Sequence, residues 1–226
     1  MALLLLIETS TTVCSAALAR DGEVISSRET NDGYAHAERL TLFCEAVLKE
    51  ANVSFGELQG VAVSRGPGSY TGLRIGLSAA KGFCYALDIP LMTVDTLKTM
   101  AAGMREDARE GVLCPLIDAR RMEVYCAVYD LALNEKEAAR AEVVDENSFR
   151  ALLDNNVVLF SGDGMPKCRE LLGKHPNARF TEAGIPSAKH LAALAEKMFA
   201  ENQFEDLAYS EPFYLKAYIA GKKPSA

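Results

Sequence analysis

The chain reads as an α/β protein of two tandem lobes, each a mixed β-sheet flanked by helices, and three observations point there. An unbroken apolar run over residues 2–7 suits a strand covered on both faces. Strand and helix patterns then alternate through residue 104 in the order β-β-β-α-β-α-β-α. The second half opens as the first does, with an apolar run at 112–117, a polar turn at 118–121 and a strand at 122–129. That match sets Asp118 where Glu8 stands in the first half. The expected division is 1–98 for the first lobe, 99–208 for a diverged second lobe, and 209–226 for a C-terminal segment packing back on the first.

Each element has its own signal. Residues 13–19 and 23–27 form a hairpin around Asp21-Gly22, a dipeptide that accepts the positive φ angles of a tight turn. A helix follows at 34–51, with Leu40, Phe43, Cys44, Val47, Leu48 and Ala51 inward at helical spacing. Ser54 and Glu57 have capping-box spacing before a strand at 60–64. A strand at 91–94 leads to Asp95, placed to cap a helix at 96–104. In the second half, a loose Glu- and Ala-rich stretch ends in a short strand at 141–144. A helix at 146–153, a strand at 157–160, a Gly162-Asp163-Gly164 turn, and helices at 165–172 and 187–201 complete the pattern.

The most informative stretch runs from Ser64 to Phe83. A strand end becomes the glycine- and hydroxyl-rich turn Gly66-Pro67-Gly68-Ser69, then a helix. Leu73, Leu77, Ala80, Cys84 and Leu87 make its apolar seam. Gly72, Gly76, Ala79, Gly82 and Ala86 make an adjacent thin face. Each glycine in a helix interior costs about 0.8–1.0 kcal/mol relative to alanine, so a compensating close contact is expected. On spacing alone, that contact is equally the chain's own sheet or a second molecule. The preceding turn lacks the lysine-serine ending of a Walker loop and the G-x-G-x-x-G fingerprint, so turn chemistry is the better reading of its glycines.

Composition narrows the function. The 226 residues, 49% hydrophobic and 24% charged, suffice for one large or two small domains. A net charge of −7 argues against an autonomous nucleic-acid binder, and Lys216, Lys222 and Lys223 are too few to carry one. Residues 2–7 are too short to span a bilayer and have neither a basic flank nor a cleavage-like site, so no membrane association and a cytoplasmic location are expected. The six cysteines are scattered, without a C-x-x-C pair, and read as reduced core residues.

The chain resembles the actin, heat-shock cognate and sugar kinase superfamily, whose two duplicated actin-like (ribonuclease H-like) lobes hold a nucleotide between them. Ile7-Glu8-Thr9-Ser10-Thr11, the motif from Gly66 to Gly76, Asp118-Ala119-Arg120, Glu123-Val124-Tyr125 and Glu211-Pro212-Phe213-Tyr214-Leu215 together make it similar, end to end, to the bacterial TsaB (YeaZ) family. The resemblance implies a non-catalytic subunit in the synthesis of threonylcarbamoyladenosine in tRNA. Its partners would be the related catalytic subunit TsaD and the ATPase TsaE, and it would meet tRNA only through the complex.

The residues bear on that expectation. The catalytic relative holds a metal with an H-x-x-x-H pair on its first long helix; here the pair is His36 and Leu40, so no metal site is expected. His36 reads as a helix-start or surface residue. Glu8, Thr9, Ser10 and Thr11 occupy the place where superfamily members approach phosphates and magnesium, although a turn-capping role suits Glu8 better. No cofactor is required; ATP or ADP with magnesium at a subunit boundary is the remaining option. Docking is expected on the glycine-thinned helix through Gly72, Leu73, Gly76, Leu77, Ala79, Ala80 and Phe83, with a homodimer when the partner is absent. Gly76→Leu and Ala80→Arg are expected to leave the fold intact and abolish docking. The alternative is an independent ATPase or small-molecule kinase using the cleft between lobes.

Overall fold

The computed structural model describes residues 2–33 and 36–216. The first half contains β1 (Leu3–Glu8), β2 (Cys14–Arg20), β3 (Glu23–Thr30), α1 (His36–Glu50), β4 (Gly60–Gly66), α2 (Tyr70–Leu87), β5 (Leu91–Asp95) and α3 (Thr96–Met104). The second contains β6 (Val112–Asp118), β7 (Glu123–Tyr129), β8 (Glu135–Val143), α4 (Arg150–Asn155), β9 (Val158–Ser161), α5 (Met165–Leu172), β10 (Ala178–Phe180) and α6 (Ala192–Ala200). Tyr34, in the expected start of the first helix, lies outside the described residues.

The two halves repeat one topology. The first sheet has the order β3-β2-β1-β4-β5 and the second β10-β9-β6-β7-β8, which is the same order read from the other edge. In each, a three-stranded antiparallel meander continues into two parallel strands. The β2–β3 hairpin turns on Asp21 and Gly22 with φ of 54° and 81°, the double left-handed turn that Asp-Gly favours.

Each sheet is covered on both faces, and the inner cover is exchanged. Helices α1 and α2 bury one face of the first sheet through Leu40, Cys44, Val47, Leu77, Ala80 and Cys84. Its other face is covered by Ala188, Leu191, Ala192 and Ala195, which come from the second half of the chain. Conversely Leu97, Met100, Ala101 and Met104 of α3 cover the inner face of the second sheet. The division expected at residue 98 therefore falls inside α3, a helix whose apolar face serves the other half. Helices α4 and α5 close the outer face of the second sheet.

Local differences from the expected elements have local causes. Strand β8 runs nine residues rather than four, because pairing with the buried strand β7 overrides weak intrinsic propensity. Its charged residues suit an edge. Helix α4 starts at Arg150 because Asp145 Oδ1 accepts the Asn147 and Ser148 amides and holds that stretch in a turn. Asp95 does not cap α3; its carboxylate instead accepts Arg65 Nε at 2.7 Å. The three-residue β10 has no sequence signal of its own. The last helix begins as a 3-10 turn, Ala188–Leu191, capped by Ser187.

After α6 the chain returns to the first lobe. The Glu205 amide donates to Leu91 O at 2.9 Å, and the Phe213 amide donates to Arg65 O at 2.7 Å. Residues 217–226, with Lys222 and Lys223, lie outside the described part. All six cysteines are buried and unpaired, and burial pushes the Cys14 thiol up to about 11 and that of Cys44 up to about 12. Among the described residues, no helix is long and apolar enough to cross a membrane.

Candidate functional site

The glycine-rich motif is where the parts of the first lobe meet. Strand β4 ends at Gly66, the turn follows, and Ser69 caps α2 by accepting the Gly72 amide at 3.2 Å. The Ser69 amide donates to Ser10 O at 2.6 Å, which ties the helix start to the β1–β2 turn. The reason for two of the glycines lies one step further. A Cβ on Gly72 would overlap Thr9 O, and a Cβ on Gly76 would overlap Thr9 Oγ1. Thr9 Oγ1 donates to Gly72 O at 2.8 Å. The Gly72 and Gly76 end of the thin face of α2 is thus the seat of the chain's own turn.

That placement decides which residues of the expected docking set reach the surface. Gly72, Leu73, Gly76, Leu77 and Ala80 are buried inside the chain, covered by the β1–β2 turn and the sheet. Ala79 and Phe83 are half-buried, and Phe83 stacks on Phe55 with ring centroids 5.5 Å apart. The residues that α2 offers outward are Thr71, Arg74, Ser78, Gly82, Tyr85 and Ala86, with Tyr85 83% exposed. Nothing lies within 4 Å of a Cβ built on Gly82, so that part of the thin face is open.

Sequence reasoning missed the aromatic strap beside this face. The Tyr214 ring lies tilted by 33° against Tyr70 with centroids 4.8 Å apart, and the Arg74 guanidinium lies 4.1 Å from the Tyr70 ring centroid. Arg74 Nε also donates to the Tyr214 hydroxyl at 3.1 Å. Lys81 Nζ donates to Ala208 O at 3.3 Å, and Tyr209 next to it is 83% exposed. The Glu211–Leu215 motif was the available signal, but nothing in it names its contacts on α2.

The polar side chains of the first-lobe turn are buried. Glu8 is fully buried; its Oε1 accepts the Ser10 amide at 2.6 Å and its Oε2 the Ser64 hydroxyl. Burial drives its carboxyl above the ordinary carboxylate range, against the lowering effect of those two hydrogen bonds. Thr9, Ser10 and Thr11 are buried as well, and Ser10 Oγ has no hydrogen-bond partner. The hydroxyls and the carboxylate that would meet phosphate and metal are buried in the protein, so these side chains as placed do not fit the group the fold suggests. In this arrangement Glu8, Thr9, Ser10 and Thr11, the residues expected at a nucleotide, hold the turn together.

The second-lobe turn is also internally paired. Lys167 Nζ contacts Asp118 and Glu123 O, and Asp163 accepts the Asp118 amide at 3.0 Å. Burial and the neighbouring Asp118 hold the Asp163 carboxyl above its ordinary range. Arg120 and Arg121 stand exposed with left-handed φ of 71° and 50°.

His36 begins α1, as expected, but it is a core residue and not a surface one. It is 2% exposed, its Nε2 lies 2.8 Å from Thr11 O, and its Nδ1 is unpartnered. His175 and His190 sit elsewhere, on Asp154 and beside Gly103. Among the described residues, no three His, Cys, Asp or Glu side chains gather as a metal site.

With this geometry in hand, known proteins share it. The family model for TsaD, tRNA N6-adenosine threonylcarbamoyltransferase, matches residues 24–222. The tRNA threonylcarbamoyladenosine biosynthesis protein TsaB of Escherichia coli K12 is 34% identical over 97% of this chain and 97% of its own. This chain belongs to the TsaB family. The crystal structure of YeaZ from Pseudomonas aeruginosa superposes with a TM-score of 0.78 at 28% identity, covering 95% of this chain and 100% of that one. The activator of 2-hydroxyisocaproyl-CoA dehydratase from Clostridium difficile shares the fold alone, with a TM-score of 0.53 at 10% identity over 89% of this chain and 97% of that one.

Proposed function

We propose that the chain is a non-catalytic subunit of the cytoplasmic assembly that makes threonylcarbamoyladenosine in tRNA. It docks onto the related catalytic subunit, TsaD, through the outward face of α2, works together with the ATPase TsaE, and meets tRNA only through the complex. Membership of the TsaB family supports the pathway, and the sealed Glu8 carboxylate is the observation that carries the non-catalytic reading. A carboxyl that is fully buried, with each oxygen taking a hydrogen bond from the chain itself, is out of reach of a substrate proton.

The docking face is redrawn from the exposed residues. Arg74, Ser78, Gly82 and Tyr85 present a shallow, low-relief strip beside half-buried Ala79 and Phe83. A tyrosine at a small-residue surface is the type of anchor that concentrates binding energy in protein interfaces. Without the partner the same strip pairs with a second copy, giving a homodimer.

Size-exclusion of the chain mixed with its TsaD-type partner tests the docking reading: co-elution supports it, and separate elution under conditions that support tRNA modification contradicts it. Titrating ATP and magnesium into the isolated chain tests the rest. Turnover by the chain alone would favour an independent ATPase or kinase; nucleotide bound only with the partner present places any ATP or ADP at the subunit boundary.

A further inference from the structure

We propose that the cavity between the end of β3 and the loop at 181–190 binds a small zwitterionic α-amino acid. This site is separate from the docking strip and does not depend on that reading. The cavity has a volume of ≈ 330 Å³, at the small end of the ligand-pocket range of about 300–1,000 Å³.

Both walls are fixed in place before any ligand arrives. On the loop side, Thr181 Oγ1 contacts Asp107, Ser161 Oγ contacts Ala183 O, and Ser187 Oγ donates to Glu29 at 2.8 Å. Gly184 lies so close to Met104 that a Cβ there would overlap the methionine Cγ. On the strand side, Asn31 Oδ1 accepts the Thr12 hydroxyl at 2.7 Å. A pocket held by hydrogen bonds on both sides loses little freedom when it fills.

The lining carries charges of both signs with capacity to spare. Glu29 accepts Lys189 Nζ on Oε1 at 3.2 Å and Ser187 on Oε2, and a carboxylate accepts about four such bonds. Glu182, which also lines the cavity, has a loose contact with Arg169 at 3.7 Å. These two carboxylates suit an ammonium. The Lys189 ammonium, which makes one of its three bonds to Glu29, suits a carboxylate on the same ligand. Burial pushes the neighbouring His190 imidazole below its usual range, and its buried Nδ1 lies against Gly103, away from any ligand. Val13, Ile185 and Pro186 supply a short apolar wall for a small side chain. Two carboxylates, one ammonium and a little apolar surface match the two charges of an amino acid better than either charge alone.

Nuclear magnetic resonance titration of the full chain with L-threonine tests the proposal. Its hydroxyl and methyl groups suit both parts of the lining. Saturable shifts are expected at residues 29–31 and 183–190, with half-saturation on the order of 1 mM. N-acetyl-L-threonine, which lacks the ammonium, and L-threonine methyl ester, which lacks the carboxylate, should each bind about tenfold more weakly. Glu182→Gln, at an exposed position, should weaken binding, and Ile185→Trp should abolish it by filling the cavity while thermal melting stays unchanged. The absence of saturable shifts, equal binding of either analogue, or binding that survives Ile185→Trp would overturn it.

Discussion

Thr9 Oγ1 sits against the Cα of Gly76 and donates to the carbonyl of Gly72, one turn earlier on the same helix. One threonine of the β1–β2 turn thereby explains two glycines of α2. It also redirects mutagenesis. Gly76→Ala should destabilise the isolated chain by about 1–3 kcal/mol, the usual cost of forcing an extra carbon into a filled site. Gly82→Ala, where nothing lies within 4 Å, should stabilise it by up to about 1 kcal/mol from helix propensity alone. Urea denaturation of the two variants checks the contrast; equal effects would mean that Thr9 does not fill the Gly76 site.

Buried Ala80 makes the same point about the seam. Ala80→Arg should prevent folding, because a guanidinium cannot be hydrated beside Cys44, Val47 and Leu77. Loss of far-ultraviolet circular dichroism or of soluble expression is the readout. Gly76→Leu, which would meet Thr9, and Ala80→Arg are therefore both predicted to disturb the fold, against the expectation from sequence that they spare it.

Glu8 gives a pH dependence with a definite sign. Its folded-state carboxyl titrates above the unfolded value, so the folded chain holds the proton more tightly. Stability therefore falls as pH rises from the unfolded carboxylate value, 4.5, through the folded one, and the loss is complete above the latter. Each pH unit in that window costs about 1.4 kcal/mol. Glu8→Gln keeps an acceptor for the Ser10 amide and removes the charge, so it should flatten this profile. Denaturation midpoints measured from pH 5 to 8 check it (a flat wild-type profile would contradict the burial assigned to Glu8).

The strap is held by rings. Tyr214→Ala removes the tilted ring contact with Tyr70 and the contact with Arg74, and should cost about 0.5–1.5 kcal/mol beyond lost area. Amide hydrogen exchange should rise at Phe213, whose amide bonds Arg65 O, while the β1 amides stay protected.

Much of this was legible in the chain. The hairpin at Asp21-Gly22, the helix seams and the repeated strand-turn-strand opening are short-range patterns, and each formed close to where its pattern placed it. What escaped depends on distant partners. No local rule says that the glycines of α2 receive Thr9, since a neighbouring molecule would leave the same spacing. His36 looks polar and solvent-facing until Thr11 O and Gly72 enclose it. The exchange of α3 and α6 between the sheets is invisible for the same reason: an amphipathic helix states that it has a buried face, not which sheet buries it. The strand at β8 shows pairing winning over composition.

Tyr85 is where the docking reading is most exposed. Binding of the TsaD-type partner to Tyr85→Glu, measured by calorimetry beside Val143→Glu on the far edge of the second sheet, separates interface from surface. Tyr85→Glu should keep the wild-type melting temperature and lose at least about 2 kcal/mol of affinity, roughly thirtyfold, while Val143→Glu binds as wild type. Wild-type affinity for Tyr85→Glu would show that the partner does not meet the chain on α2.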